Sequence, residues 1–200
     1  MPASAYTRTK QPEQVRRALL DCAAAIAMDH GVSGVTVQAV AAAAGVTKGG
    51  LFHHFSSKQA LIEGLFADLL ARVNAEIDAA VEADPKPRGS FTRAYVNAVF
   101  TGKAFGFATP WAALSMVVVT DPSLRRLWND WMKARLKRHR ATDGAPDLHI
   151  VRLAADGAWL SYVTTGQTRM SADLRAVHDR LIAQTHRLGR GRTSTKPNSD

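Results

Sequence analysis

The sequence has little of what extracellular and membrane proteins need. Only one of its 200 residues is a cysteine, Cys22, so no disulfide can form within the chain, and its helical spacing with apolar neighbours predicts a core position. The most apolar stretch, residues 110–119, is about half the length needed to span a bilayer. Residues 1–17 have no apolar segment behind their charges, so we expect no secretory signal. We therefore expect a cytoplasmic protein with no membrane contact.

The sequence also lacks period-two alternation and the short motifs of common enzymes. Abundant alanine, few β-branched runs and repeated helical periodicity predict an all-α protein of about nine helices. There is no G-x-S-x-G, P-loop, H-E-x-x-H or dinucleotide fingerprint, and Ser115 and Ser161 have no identifiable base partner. An enzyme is therefore disfavoured, and no cofactor is predicted.

The net charge of +9 suggests a nucleic-acid partner, but most of the basic excess lies in the second half of the chain. The basic stretch KARLKRHR, residues 133–140, is interpreted as a solvated helix face. A second contact with nucleic acid or with a membrane surface is the alternative. A prediction of DNA binding therefore depends on pattern more than on charge.

That pattern is found around GVTKGGLFHHFSSK, residues 45–58. Thr36 is a predicted N-cap for a short helix that Gly45 ends, and Thr47 is a predicted N-cap for a third helix that ends at about His54. Two short helices joined by a glycine turn predict a helix-turn-helix, in which the second of the pair enters the major groove.

The adjacent Gly49 and Gly50 weaken this predicted recognition helix by roughly 1 kcal/mol each. The absence of Cβ atoms, however, permits a close approach to the groove and to phosphates. Lys48 can reach a phosphate or a guanine, and Thr47 can reach a phosphate or a thymine methyl group. Lys58 is unfavourable at the start of the fourth helix, which suggests a phosphate partner.

Residues 36–66, TVQAVAAAAGVTKGGLFHHFSSKQALIEGLF, resemble the DNA-binding motif of the tetracycline-repressor (TetR) family of transcriptional regulators. The resemblance implies an N-terminal helix-turn-helix domain followed by a helical bundle for effector binding and dimerisation. It also assigns roles to individual residues. Phosphate contacts are implied for Thr36, Thr47 and Lys58, and positions along the DNA face for Lys48, Gly49, Gly50, His53 and His54.

Phe52 departs from the family pattern, which usually has tyrosine at this position. Since phenylalanine cannot donate a hydrogen bond to phosphate, its ring packs either against a sugar or into the domain. His53 and His54 are candidate metal ligands by residue type. Adjacent helical residues point about 100° apart and no suitable third ligand lies nearby in sequence, so no metal site is predicted.

The domain organisation follows from helix signals and from one Pro/Gly-rich break, EADPKPRGS at residues 82–90. The first helix is predicted to begin at Pro12 and to stop after His30, at Gly31. The fourth helix is predicted to begin at a capping box formed by Ser56 and Gln59. The predicted segments are a flexible N-terminal arm at 1–11, the helix-turn-helix domain at 12–58, a connecting helix at 59–81, a ligand-binding and dimerisation domain at 82–188, and a disordered tail at 189–200.

The second domain is rich in aromatic residues and contains all four tryptophans. Plain core packing explains any one of them, but the set suits a flat apolar or aromatic effector. Asp156 interrupts an apolar run and needs a partner if it is buried, either Arg152 or a polar group of the effector. The candidate ligand-binding residues are Phe105, Phe107, Trp111, Met116, Trp128, Trp131, Asp156, Trp159 and Tyr162.

The last two predicted helices carry an apolar stripe and small residues that would let helices approach closely. The resemblance implies that these helices form a four-helix dimer interface. The candidate interface residues are Ala155, Ala158, Leu174, Val177, Leu181 and Ile182. A homodimer would let two recognition helices read a palindromic operator in double-stranded DNA.

The function predicted first is a ligand-responsive repressor that a small-molecule effector releases from its operator. A regulator without an effector, or an activator, is the alternative from the same fold. An enzyme is the alternative from another class.

Overall fold

The computed structural model describes residues 5–107, 109, 116–166 and 169–188, and regular structure within these ranges is entirely helical. The all-α prediction is confirmed, and the ten described helices are close to the predicted nine. They are α1 (Ala5–Gly34), α2 (Val37–Ala43), α3 (Lys48–His54), α4 (Lys58–Ala83), α5 (Ser90–Thr101), α6 (Val117–Thr120), α7 (Pro122–Arg138), α8 (Arg140–Asp143), α9 (Pro146–Thr164) and α10 (Ala172–Leu188).

The chain forms two compact units. The first contains Met1–Arg72 and Pro110–Met132, and the second contains Val73–Thr109 and Lys133–Asp200. The divisions fall inside α4 and inside α7, so each of these helices contributes residues to both units. Residues 84–89, part of the Pro/Gly-rich break, form the irregular link between α4 and α5. The predicted tail, residues 189–200, lies outside the described residues.

In the first unit, α1 packs against α2 and α3, and α2 packs against α3. Helix α1 begins at Ala5, so the predicted start at Pro12 is wrong. Proline lacks an N–H donor but its fixed φ is compatible with a helix, and here the helix continues through Pro12. The predicted stop after His30 corresponds to a break at Gly31, which has φ 68°.

The core of the first unit is apolar and includes side chains from α1, α2, α3 and α4. Cys22, predicted as a core residue, is half-buried. The fully or nearly fully buried side chains include Leu19, Leu20 and Ala23 of α1, Val40 and Ala41 of α2, Leu51 of α3, and Leu61, Leu65 and Leu69 of α4.

In the second unit, α5 is the central helix, and every residue from Ser90 to Phe100 except Asn97 is buried. Helices α8, α9 and α10 pack against α5, and α9 also packs against α10. The side chain of Asp143 accepts hydrogen bonds from the backbone N–H and hydroxyl of Thr92, at 2.8 and 2.6 Å. This contact fixes the N-terminal turn of α5 to the end of α8.

Candidate nucleic-acid interface and ligand-binding region

Threonine residues are the N-caps of both helices of the helix-turn-helix, as predicted. Thr36 Oγ1 accepts from the backbone N–H of Ala39 at 3.1 Å, and Thr47 Oγ1 accepts from that of Gly50 at 3.0 Å. Between the helices, Gly45 has φ 66°, a left-handed conformation that a residue with a Cβ adopts only at a cost. The turn and both caps are therefore specified locally by these residue types.

The inner side of α3 is locked by packing. Leu51 is fully buried and Phe55 nearly so, and the Arg16 guanidinium lies 5.1 Å from the centre of the Phe55 ring. A Cβ placed on Gly64 of α4 would lie 2.7 Å from Phe55 Cε1. The α3–α4 contact thus depends on a glycine opposite an aromatic ring, a close approach that the helical periodicity of α4 did not reveal.

The outer side of α3 is open to solvent. Lys48, Gly49 and His53 are exposed, Phe52 is 48% exposed, and Gly50 and His54 are half-buried. The Phe52 ring is therefore not packed into the domain. Thr36, Thr47 and Lys58 are also exposed, so all nine predicted DNA-binding residues keep accessible surface.

The beginning of α4 differs from the prediction. Ser57 Oγ accepts from the backbone N–H of Ala60 at 3.0 Å, so the predicted capping box with Ser56 is wrong by one residue. The Gln59 amide instead donates to Glu63 at 3.2 Å and to Asp121 at 3.1 Å. Lys58 remains at the first position of α4, exposed beside the end of α3.

Asp121 caps the next long helix as well. Its Oδ1 accepts from the backbone N–H groups of Ser123 and Leu124 at 2.8 and 3.1 Å. Burial opposes its ionisation, but the Leu124 and Gln59 hydrogen bonds outweigh burial and lower the Asp121 pKa. One carboxylate therefore joins the start of α7 to the start of α4, next to Lys58.

A network of ion pairs ties α1 to α4, and sequence reasoning missed it. Arg17 donates to Asp21 at 3.0 Å and to Asp68, and Arg72 lies 2.8 Å from Asp68. The hydrogen bond from Arg17 lowers the Asp21 pKa. The i,i+4 spacings within each helix are visible in the sequence, but the pairing between helices depends on tertiary structure.

The predicted ligand-binding residues fall into two groups. In the second unit, Phe105 stacks on Trp159 and Phe107 on Tyr162, with ring centres 6.2 and 4.6 Å apart. Asp156 accepts a hydrogen bond of 2.5 Å from the Tyr95 hydroxyl, a partner on α5 that the sequence did not suggest. Burial raises the Asp156 pKa, although Tyr95 and Arg152 oppose the shift.

The other group lies in the first unit. The rings of Trp128 and Trp131 on α7 are 5.1 Å apart, and Met116 is half-buried just before α6. The Trp131 indole N–H is buried and has no hydrogen-bond acceptor among the described residues. Trp111 lies outside the described residues.

The predicted interface residues lie on different sides of α9 and α10. Ala155, Ala158 and Leu181 are largely covered by the chain itself, so they contribute little accessible surface. Val177 is 40% exposed, whereas Leu174 and Ile182 are half-buried. The exposed apolar residues of α9 are instead Ile150, Leu153 and Leu160, with Ala154 and Gly157 between them.

Two further properties bear on the site. Across the described ranges, no helix combines the length and apolar character needed to cross a membrane. Among those same residues, no group of three or more His, Cys, Asp or Glu side chains is placed to hold a metal ion.

Comparison with known proteins identifies both halves of the chain. A family model described as "Bacterial regulatory proteins, tetR family" matches residues 19–65, and one described as "Tetracyclin repressor-like, C-terminal domain" matches residues 89–186. The solved structure of a TetR-family transcriptional regulator from Streptomyces coelicolor has the same fold, with a TM-score of 0.64 and 20% identity over 95% of each chain.

Two relatives are transcriptional repressors. The chain is 34% identical over 89 residues to the HTH-type transcriptional repressor KstR2 of Mycolicibacterium smegmatis, covering 42% of this chain and 43% of the relative. It is 30% identical over 125 residues to the HTH-type transcriptional repressor DhaR of Mycobacterium sp., covering 60% and 62%. The chain thus spans about half the length of these relatives.

Proposed function

This chain belongs to the TetR family of bacterial regulatory proteins, and from that premise we propose that it is a repressor that binds a palindromic operator as a homodimer and is released by a small-molecule effector. The main support for the proposal is the arrangement of side chains on the α2–α3 pair. Its inner side is locked by Leu51 and Phe55, while its outer side presents Lys48 and two glycines to solvent.

The DNA contacts divide by chemistry. Lys48 and Gly49, at the first positions of α3, contact base edges in the major groove, where direct readout takes place. Thr47 and Lys58 flank α3 and contact phosphates, which position the domain without reading sequence. The exposed Phe52 ring packs against a sugar.

Lys58 gives the first test of DNA binding, because a nonspecific duplex is sufficient. Removing one phosphate contact lowers the slope of log K against log salt by about 0.9. Because a homodimer loses one such contact from each protomer, Lys58→Ala is expected to reduce the slope by about 1.8, measured by fluorescence anisotropy over a salt series. The matched control is Lys86→Ala, an exposed lysine of the α4–α5 link, which should leave the slope unchanged. Equal slopes for Lys58→Ala and wild type would contradict the phosphate contact.

The proposed dimer surface is the exposed apolar face of α9 with Val177 of α10. Ile150 and Leu153 are 58% and 56% exposed, and Gly157 has open space where a side chain would lie. Large apolar side chains at this spacing form a stripe that a second copy can cover. A homodimer also supplies the second recognition helix for the other half-site.

Sedimentation velocity tests the dimer. Leu153→Glu is expected to convert the dimer to monomer, since a carboxylate would be buried without a partner at the interface. Met28→Glu is the matched control, because Met28 of α1 is also half exposed and lies outside the proposed surface. Dimers of unchanged stability in Leu153→Glu would exclude this face.

The proposed effector is apolar or aromatic, because the predicted ligand-binding residues are aromatic in each unit taken by itself, the stacked rings in the second and Trp128 and Trp131 in the first. The Trp159 indole N–H is buried and has no acceptor among the described residues, so it is available to a carbonyl or hydroxyl oxygen. Intrinsic fluorescence quenching screens for such ligands. Quenching that survives Trp128→Phe and Trp131→Phe unchanged would remove these two residues from the site.

Release requires that the effector bind the DNA-incompetent state more tightly. The Asp121–Gln59 hydrogen bond connects the start of α7, the helix that carries Trp128 and Trp131, to the start of α4 beside Lys58. A displacement of α7 on effector binding would thus move Lys58 away from its phosphate.

A further inference from the structure

A cleft of about 500 Å³ opens in the second unit where α7 ends, α8 follows and α9 begins. Its wall includes Lys137, Arg140, His149 and Arg152, together with one acid, Asp143. It shares no residue with the proposed DNA, effector or dimer sites. Part of the basic stretch at 133–140, interpreted from sequence as a solvated helix face, therefore lines a concave surface.

Asp143, the acid in the wall of the cleft, makes hydrogen bonds that hold the fold together. Asp143 is 1% exposed, and its Oδ1 accepts from the backbone N–H and the hydroxyl of Thr92. Its Oδ2 accepts from the Thr142 hydroxyl at 2.8 Å. With these bonds made, Asp143 holds the N-terminal turn of α5, and its carboxylate and the Arg152 guanidinium bond to the same Thr92 hydroxyl.

Arg152 is the buried cation of the cleft. It is 6% exposed, and its Nη1 donates to the Thr92 hydroxyl at 2.6 Å and to the Asp143 backbone carbonyl at 3.4 Å. Both of these acceptors are neutral groups. Burial lowers the Arg152 pKa, although the Asp143 and Asp156 carboxylates oppose the shift. A guanidinium stays protonated in proteins, so Arg152 brings a positive charge to the wall of the cleft.

The other cations extend from the rim. Lys137 and Arg140 are exposed, so their flexible side chains can close over a bound group. Guanidinium and ammonium groups recognise phosphate and carboxylate through charge-assisted hydrogen bonds. A concave site of this volume suits a small molecule, whereas a duplex presents a convex backbone.

We propose that this cleft binds a small molecule through a phosphate or carboxylate group with two or more negative charges, held by Arg152 at the base and by Lys137 and Arg140 at the rim. Binding at the cleft needs neither DNA nor the aromatic effector. It can therefore be tested, and can fail, independently of the proposed regulatory function.

The experiment is isothermal titration calorimetry of the full chain with pyrophosphate and with citrate, at constant ionic strength set with sodium chloride. At least one anion should bind, and the tighter of the two identifies the phosphate or the carboxylate class. The double variant Lys137→Ala/Arg140→Ala is expected to weaken binding by about tenfold or more. The matched control Lys133→Ala/Arg138→Ala removes the same charge from exposed positions of α7 outside the wall and should change binding less than about twofold.

Arg152→Gln tests the base of the cleft, since glutamine retains a donor for Thr92 but removes the charge. Loss of binding in a variant with wild-type circular dichroism supports the site. If Arg152→Gln does not fold, the double variant Lys137→Ala/Arg140→Ala still tests whether the cleft binds the anion. The proposal is overturned if neither anion binds above the chloride-matched baseline, or if the control pair loses as much affinity as the rim pair. It is also overturned if a nonspecific duplex displaces the anion, which would assign the cations to nucleic acid.

Discussion

Gly49 and Gly50 give the sharpest separation between stability and DNA recognition. Both lie inside α3, and neither has a positive φ. A Cβ at Gly49 would find its nearest neighbour, Thr47 Oγ1, 3.8 Å away, and a Cβ at Gly50 would lie 3.4 Å from the same atom. The free protein therefore has room for alanine at both positions, and its own packing does not require glycine there.

The substitution Gly49→Ala should consequently stabilise the protein. Replacing an exposed helical glycine with alanine is worth up to roughly 1 kcal/mol, which corresponds to a rise in Tm of about 2–4 °C for a chain of this size. If the glycine permits close approach to the groove, the added methyl group instead obstructs the DNA. We expect operator affinity to fall by about tenfold or more, equivalent to about 1.4 kcal/mol.

Thermal unfolding followed by circular dichroism measures the change in stability. Fluorescence anisotropy with an operator selected from a randomised duplex pool measures the change in DNA affinity. The control is Ala75→Gly, the reverse exchange at an exposed position of α4, which should lower Tm and leave affinity unchanged. A Gly49→Ala protein that is more stable and binds its operator as tightly as wild type would refute the close-approach argument. The paired glycines would then have no role at the interface.

Three further predictions concern the same elements and the second unit. Thr47→Ala removes the α3 N-cap and should cost about 1 kcal/mol in urea unfolding, whereas Thr47→Ser should retain most of that stability; equal losses in the two variants would argue against the cap. Gly64→Ala forces a Cβ against Phe55 and should cost about 1–3 kcal/mol, with partial recovery in Gly64→Ala/Phe55→Leu; no loss in the single variant would mean that the contact is easily relieved. Because the pKa of Asp156 is raised in the folded state, its contribution to stability is largest below the unfolded pKa and is lost as pH rises through the folded pKa. Asp156→Asn should therefore raise Tm at pH 7, by an amount that shrinks on acidification, and an advantage independent of pH would assign the effect to something other than this carboxylate.

The helix-turn-helix could be predicted closely because its signals are local. Thr36 and Thr47 each accept a hydrogen bond from the backbone N–H three residues later in the sequence. Gly45 supplies the left-handed turn between the two helices. The TetR resemblance drawn from residues 36–66 is confirmed by the family matches over 19–65 and 89–186. The prediction of a regulator rather than an enzyme is confirmed at the level of this family.

The errors in the predicted starts of α4 and α1 have causes in the neighbouring residues. Two adjacent serines precede α4, and each can serve as an N-cap, so the pattern did not distinguish Ser56 from Ser57. Pro12 is a favourable first-turn residue, but it does not prevent a helix from beginning seven residues earlier, at Ala5.

The contacts that sequence could not supply are distant along the chain. Asp156 pairs with Tyr95, 61 residues away, and Gln59 reaches Asp121 across 62 residues. The sequence shows that α9 contains several small residues, but it does not show which of them are buried within the protomer. Ala155 therefore faces the core, and Gly157, two residues on, is exposed.

DNA recognition by α3 is best tested by selection of bound sequences from a randomised duplex pool at fixed salt, with wild type, Lys48→Ala and Lys58→Ala in parallel. We expect an enriched palindrome for wild type, a relaxed sequence preference for Lys48→Ala, and uniformly weaker binding with the same preference for Lys58→Ala. If well-folded wild-type dimer enriches no sequence, or if Lys48→Ala selects the same palindrome with equal stringency, the exposed face of α3 is not the surface that reads DNA.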